Sequence, residues 1–221
     1  MNRNDAARLG IFVKEPIAGF VKTRLTPPLS PEQAARLYGV ALAETLHRFA
    51  DRSPRPILFF VGSAEFFRTH YPDFKQFPQD GDDLGQKMAN ALSLLHADSC
   101  GAAALIGSDS PDLPIELVDK AFAALAKNQV VTVPATDGGY VLVGTSGPCP
   151  EVFSAVPWST PEVLARTRQL AREHGLCYTE IDRWHDLDDI ASLLALVERS
   201  PESATAVHIR RELSHLLRST A

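Results

Sequence analysis

The chain has 221 residues, of which 45% are hydrophobic, and this is enough for one sizeable α/β core without a second domain. The formal net charge of -5 argues against a general nucleic-acid-binding protein, which normally carries a basic excess. The N-terminus is polar and no apolar run is long enough to cross a bilayer, so we expect a cytoplasmic protein with no membrane or nucleic-acid partner.

The cysteines and the N-terminal segment do not indicate a metal site, a disulfide or a further domain. Cys100, Cys149 and Cys177 are widely spaced and form no CxxC pair, so the sequence predicts free thiols in a reducing cytoplasm, without disulfides or a zinc site. Residues 1–7 are predicted to be disordered ahead of the first strand. We therefore expect a single domain over residues 1–221.

Along the chain, short apolar runs alternate with amphipathic helical patterns, which is typical of a largely parallel sheet covered on both faces. The runs that predict strands are RLGIFV, PILFFVG, the weaker FKQF, AAALIG, VVTVPA, YVLVG and CYTEI. Helical stripes cover residues 37–49 and 84–95, and further helices are expected from Pro114, Thr160 and Asp188. A closing helix is predicted over residues 206–217.

The first strand runs into KEPIAGFVKTRL, residues 14–25, which combines a glycine turn with clustered cations. Gly19 lets the backbone approach a ligand, and Lys14, Lys22 and Arg24 offer donors suited to phosphate oxygens. The spacing excludes a P-loop, and no GxGxxG follows the strand. The segment therefore predicts a nucleotide phosphate site, with a solvated basic loop as the simpler alternative.

The segment GSDSPDLP, residues 107–114, follows a strand that is predicted to be buried. Ligands of open α/β sheets bind outside the carboxyl ends of the strands, so Asp109 is placed to hold Mg²⁺ or Mn²⁺ against phosphate oxygens. The alternative is a turn and helix start, with Asp112 as a cap and Pro114 at the first helical position. We expect Asp109 to be functional and Asp112 to be structural or secondary.

Two later segments also carry acids between predicted elements. In ATDGGYVLVG, residues 135–144, Gly138 and Gly139 suit positive φ angles in a plain hairpin, but Asp137 could also accept a hydrogen bond from a substrate hydroxyl. In HDLDDIASL, residues 185–193, three aspartates could serve the dipole of a helix, or one of them could complete a metal site with Asp109. Both choices stay open at this point.

These segments together resemble the radical-SAM/selenodomain-associated transferase family. The resemblance is carried by KEPIAGFVKTRL, GSDSPDLP, ATDGGYVLVG and WSTPEVLART, the last at residues 158–167. That family belongs to the nucleotide-diphospho-sugar transferase superfamily, and it implies the GT-A fold, a three-layer α/β/α sandwich with a mostly parallel sheet. The chain is more distantly similar to the phospholactate and molybdenum-cofactor guanylyltransferases.

The resemblance implies a role for each matching position. Lys22, Arg24 and Asp109 would be catalytic. The nucleotide and its phosphates would meet Lys14, Gly19, Lys22, Arg24, Gln79 and Gly85, with Gln79 near the base. The substrate would meet Asp137, Gly138, Gly139 and Tyr140. The metal, Mg²⁺ or Mn²⁺, would be held by Asp109 and Asp188, with Asp186 as the other possibility for the second ligand.

The expected function is a divalent-metal-dependent transferase that uses a nucleotide-activated donor. One form is a glycosyltransferase that moves a sugar from a nucleotide-sugar donor to a small-molecule acceptor, as the family name favours. The other is a nucleotidyltransferase that joins a nucleoside triphosphate to a phosphorylated small molecule and releases pyrophosphate, and three loop cations favour this form. A third alternative is a non-catalytic nucleotide-binding protein. Nothing in the sequence predicts the oligomeric state.

Overall fold

The computed structural model describes residues 7–97 and 101–218, and the strands within them form one seven-stranded sheet. In chain order these are β1 (Ala7–Lys14), β2 (Ile57–Val61), β3 (Gln76–Pro78), β4 (Ala102–Gly107), β5 (Val130–Pro134), β6 (Tyr140–Thr145) and β7 (Tyr178–Glu180). The order across the sheet is β3-β2-β1-β4-β6-β5-β7. Only β6 runs antiparallel to its neighbours, β4 and β5, within these strands. The predicted mostly parallel sheet is confirmed.

The helices of the described residues are α1 (Pro31–Phe49), α2 (Ala64–His70), α3 (Leu84–His96), α4 (Ile115–Ala124), α5 (Val163–Glu173), α6 (Ile190–Arg199), α7 (Ala204–Glu212) and α8 (Ser214–Arg218). The long helix α1 begins at a capping box in which Ser30 and Gln33 satisfy each other's backbone N–H groups. The sequence did not predict α2, because a seven-residue helix shows too little periodicity. The predicted closing helix is wrong as a single element, since it breaks at Leu213 into α7 and α8.

Alternation along the strands divides the core into two layers. In β1, the buried side chains of Leu9, Ile11 and Val13 pack with α1, α2 and α4, whereas Phe12 packs on the opposite face with α3. The second face is completed by α5 and by a 3₁₀ segment at Pro150–Phe153. Helices therefore cover both faces, and the expected three-layer arrangement is confirmed.

The last three helices pack on the outer side of α1 and not on the sheet. Leu37 of α1 belongs to a buried cluster with Leu193 of α6, Ile209 of α7 and Leu25 of the basic loop. Leu187, which immediately precedes Asp188, is buried in the same cluster. This packing brings the acidic segment near residue 188 against the basic loop, although the two are far apart in the sequence.

Three sequence predictions concern the N-terminus, the cysteines and membrane-spanning helices, and parts of the first two fall outside the described residues. Residues 1–6 of the segment predicted to be disordered lie outside the described residues, whereas Ala7 is the first residue of β1, so the prediction is wrong for Ala7. Cys149 is buried, Cys177 is exposed and both are free thiols, while Cys100 lies outside the described residues. No helix in the described part of the chain has the length and apolar character that a membrane span requires.

Candidate functional site

A cleft of about 450 Å³ opens at the carboxyl edge of the sheet, where β1 and β4 end and the antiparallel β6 begins. Residues from each acidic or basic motif line it: Lys14, Arg24, Asp109, Asp137, Gly139, Tyr140 and Asp188. Gln79 lines it from the end of β3. A larger, more open groove of about 1190 Å³ runs along α1 and the start of α7, but it holds none of the predicted site residues. Most of the predicted site residues therefore line the smaller cleft.

Lys22 points into the protein and does not line this cleft. Its backbone is left-handed, with φ at 49°, and its side chain is only 4% exposed. The ammonium donates to Asp109 Oδ1 at 2.5 Å, to the Leu187 carbonyl at 2.5 Å and to Asp188 Oδ1 at 3.3 Å. Burial alone would lower the pKa of Lys22, but the charges of Asp109 and Asp188 raise it above the usual value. Lys22 therefore stays charged and uses its three N–H donors within the protein.

The other two predicted phosphate-binding cations do face the cleft. The Arg24 side chain is 59% exposed, and its guanidinium donates to Asp188 Oδ2 at 3.0 Å. Lys14 is exposed at the end of β1, and its backbone N–H donates to the Tyr38 hydroxyl at 2.9 Å. That hydroxyl shares a 2.7 Å hydrogen bond with Ser108 Oγ. Lys14 and Arg24 are the cations that line the cleft within the described residues.

Three acids gather beside Arg24. Asp137, Asp186 and Asp188 each place a carboxylate oxygen within 4.8 Å of the other two. Burial, followed by the charges of Asp137 and Asp188, raises the pKa of Asp186 to about 6. Asp109 is outside this cluster and is paired with Lys22, which holds the pKa of Asp109 below its usual range despite partial burial. The donor set fits Mg²⁺ or Mn²⁺, because these cations prefer carboxylates and a bound cation would relieve the mutual repulsion.

The helix-dipole alternative applies to Asp189 and not to its neighbours. Asp189 is the N-cap of α6, where its carboxylate accepts the backbone N–H of Ser192. This leaves the carboxylates of Asp186 and Asp188 for the cluster. Asp112 does not cap α4, since Pro114 is the N-cap residue and not the first helical residue. Asp112 is instead buried in an ion pair with Arg199, in keeping with the structural role expected for it.

The DGG turn is a hairpin between β5 and β6, and it needs one of its glycines for a positive φ. Gly138 has φ at 93°, and a Cβ there would collide with the Pro161 carbonyl oxygen. Gly139 does not have a positive φ, which corrects the prediction for that residue. The Asp137 carboxylate accepts the Gly139 N–H at 2.9 Å, so the turn is closed by the same acid that faces the cleft. Tyr140 lines the cleft, and burial raises the pKa of its hydroxyl.

Three residues that the resemblance assigned to the nucleotide have different surroundings. The Gln79 Nε2 donates to the Phe59 carbonyl at 3.0 Å, which fixes this side chain at the cleft wall. Gly85 does not line the cleft, because it lies under Trp158, whose ring would be 2.7 Å from an added Cβ. Gly19 has φ at 81° on an exposed turn and also does not line the cleft. Gly85 serves packing here, and Gly19 serves the turn of the loop.

Comparison with known proteins defines the family. The family model described as "Uncharacterized protein conserved in bacteria (DUF2064)" matches residues 45–160. A candidate nucleotide-diphospho-sugar transferase from Desulfovibrio desulfuricans G20 is 32% identical over 97% of both chains, with a TM-score of 0.90. The chain belongs to the DUF2064 family. The resemblance to the nucleotide-diphospho-sugar transferase superfamily is thereby confirmed. A search of the curated proteins finds no match.

Other solved structures share only the fold with this DUF2064 protein. CMP:2-keto-3-deoxy-manno-octonic acid synthetase, complexed with CTP, is 10% identical with a TM-score of 0.55, over 89% of this chain and 98% of that one. Molybdopterin-guanine dinucleotide biosynthesis protein A from Archaeoglobus fulgidus is 11% identical over 89% of each chain, with a TM-score of 0.50. These likenesses support the nucleotide-diphospho-sugar transferase-like fold and carry no assignment of activity.

The cleft of the DUF2064 chain is also lined by residues to which the sequence analysis assigned no role. Trp158, Ser159 and Thr160 line it, and Ser159 has an unusual φ of 64°. They fall within WSTPEVLART, so that motif contained the available signal. Tyr38 and Ser108 line the floor as a buried hydrogen-bonded pair, which no sequence spacing could have indicated.

Proposed function

We propose that this protein is a transferase that uses a nucleotide-activated donor, and that the donor is a nucleoside diphosphate sugar. The observation that carries the proposal is the cleft itself, in which Lys14 and Arg24 face two members of the three-carboxylate cluster, Asp137 and Asp188, at the carboxyl edge of the sheet. The family relationship to a candidate nucleotide-diphospho-sugar transferase supports the same activity.

The number of available cations favours a diphosphate over a triphosphate. The sequence offered three, but Lys22 is engaged by Asp109, Asp188 and Leu187. Lys14 and Arg24 remain to meet phosphate oxygens in the cleft. Two cations suit the two phosphates of a sugar nucleotide, and this favours glycosyl transfer over nucleotidyl transfer.

The cleft walls suggest where the other parts of the substrates bind. Phe12, Leu84 and Met88 supply apolar lining, which would suit a nucleobase together with Gln79. Ser159, Thr160 and Asp137 supply polar lining, which would suit the hydroxyl groups of a sugar or of a small acceptor. Donor and acceptor would then meet above the acidic cluster.

A divalent cation would be held by Asp188, Asp186 and Asp137, which share Asp188 with the pair predicted from the sequence. When bound there, Mg²⁺ or Mn²⁺ would neutralise charge that develops on the departing diphosphate. Arg24, bonded to Asp188 Oδ2, lies next to this cluster and can contact the same phosphate oxygens.

The experiment is a thermal-shift screen of sugar nucleotides and nucleoside triphosphates with Mg²⁺, followed by mass spectrometry of products with a panel of hydroxylated acceptors. We expect selective stabilisation by a sugar nucleotide and release of the nucleoside diphosphate. Asp188→Asn should abolish turnover, while Asp182→Asn, which alters an exposed pair with Lys120, should not. Selective stabilisation by a triphosphate with pyrophosphate release would replace this proposal with nucleotidyl transfer. Binding of a nucleotide without turnover would indicate a non-catalytic protein.

A further inference from the structure

The side chain of Lys22 is in a place where a phosphate-binding lysine is not expected. It is 4% exposed, and the protein occupies its three N–H donors. To reach a phosphate in the cleft, the ammonium would have to leave two carboxylates and a carbonyl. Each of these contacts is charge-assisted or buried, so this exchange is unfavourable.

The contacts of Lys22 join three separate segments of the chain. Asp109 follows β4, and Leu187 and Asp188 precede α6, while Lys22 itself belongs to the basic loop. The Leu187 N–H also donates to the Asp109 carbonyl at 2.8 Å, so backbone and side chain hold the same junction. The two carboxylate oxygens of Asp188 accept from different cations, Oδ1 from Lys22 and Oδ2 from Arg24.

We propose that Lys22 is a built-in counter-ion that holds Asp109 beside Asp188, and that it occupies the position between these acids where a divalent ion is expected. This inference rests on the proposed function and refines its metal site. Lys22 is thus a positioning residue, and it directs a divalent ion to the other side of Asp188, towards Asp137 and Asp186. Phosphate binding is left to Lys14 and Arg24.

Removal of the Lys22 charge should create a new cation site. Without the ammonium, Asp109 and Asp188 would face each other with no counter-ion, and such a pair of carboxylates attracts a hard divalent cation. We therefore expect the full-length wild type to bind one Mn²⁺ and Lys22→Met to bind two, as counted by electron paramagnetic resonance of free Mn²⁺. Lys14→Met should keep the wild-type number.

A second variant allows for poor folding of Lys22→Met. Lys22→Met with Asp109→Asn removes the opposed charges and should again bind one Mn²⁺. Phosphate contacts are tested with inorganic pyrophosphate in EDTA by calorimetry. Lys14→Met and Arg24→Met should each weaken its binding by about tenfold or more, and Lys22→Met with Asp109→Asn by less than about threefold.

The inference is overturned if Lys22→Met binds no additional Mn²⁺, or if the double variant loses as much pyrophosphate affinity as Lys14→Met. The proposed function fails by a different result, in which wild type releases no nucleoside diphosphate from any sugar nucleotide. A second Mn²⁺ in Lys22→Met would still support the counter-ion role in that case.

Discussion

The buried ion pair between Asp112 and Arg199 fastens the end of α6 to the loop that follows Asp109. The Asp112 side chain is 2% exposed and accepts hydrogen bonds from Arg199 Nε at 2.7 Å, Arg199 Nη2 at 3.2 Å and Ser200 Oγ at 2.8 Å. The Arg199 side chain is 22% exposed, and its guanidinium lies 5.2 Å from the centre of the Trp184 ring. The two partners therefore differ in how well water can reach them.

This difference predicts unequal costs for the two single substitutions. Arg199→Met leaves a buried carboxylate with one hydroxyl donor, and we expect a loss of about 3 kcal/mol in the free energy of unfolding. Asp112→Asn leaves a partly exposed guanidinium that water can solvate, so about 1–2 kcal/mol is expected. The double variant should cost less than the sum of the singles by at least about 1 kcal/mol, because neither unpaired charge remains.

The assay is urea unfolding at pH 7, followed by far-UV circular dichroism for the wild type, both single variants and the double variant. Glu173→Gln is a suitable control, because its pair with Arg166 is 47% exposed on the acidic side and should contribute less than about 1 kcal/mol. Equal costs for the two singles, or strict additivity in the double variant, would refute the argument from burial.

Two further predictions concern the acidic cluster and the glycine turns. The pKa of Asp186 is raised to about 6 in the folded state, so the native protein holds a proton that the unfolded chain has lost between about pH 4 and 6. The free energy of unfolding should therefore fall as pH rises through this window, and Asp186→Asn should flatten that fall in urea titrations with EDTA. An unchanged slope would contradict this account. Gly19→Ala should cost about 1–2 kcal/mol from its φ of 81° alone, since a Cβ there meets nothing within 4 Å. Gly138→Ala should cost clearly more, because its Cβ also collides with the Pro161 carbonyl oxygen, and equal midpoints in a thermal melt would argue against that collision.

The sequence could predict the sheet because its signal is local. Runs such as AAALIG are apolar throughout, as strands buried on both faces must be, and the stripe over residues 37–49 has the period of a helix. The short α2 was missed because seven residues show too little periodicity, and the break at Leu213 was missed because no glycine or proline marks it. Segments with a strong repeating pattern were thus predicted well.

The site could be predicted only as a collection of residues. Asp109, Asp137 and Asp188 each follow a predicted strand, and this was enough to predict that they lie at one edge of the sheet, since the carboxyl ends of parallel strands share that edge. The partners of Lys22 could not be foreseen, because Asp188 is 166 residues away and the contact depends on the apolar cluster that α1, α6 and α7 form with Leu25 and Leu187. Charge and spacing identify a cation, but they do not tell whether it faces a ligand or an internal acid.

The reversed direction of β6 has a consequence for how this protein can diversify. Because β6 runs antiparallel between β4 and β5, the hairpin before it opens onto the same edge as the ends of the parallel strands. Length changes are constrained at two places on this edge, because the hairpin tip carries Asp137 and packs Gly138 against Pro161, and because the basic loop is tied to the end of β4 and the start of α6 through Lys22. Relatives of this chain should therefore vary least in length at these two connections.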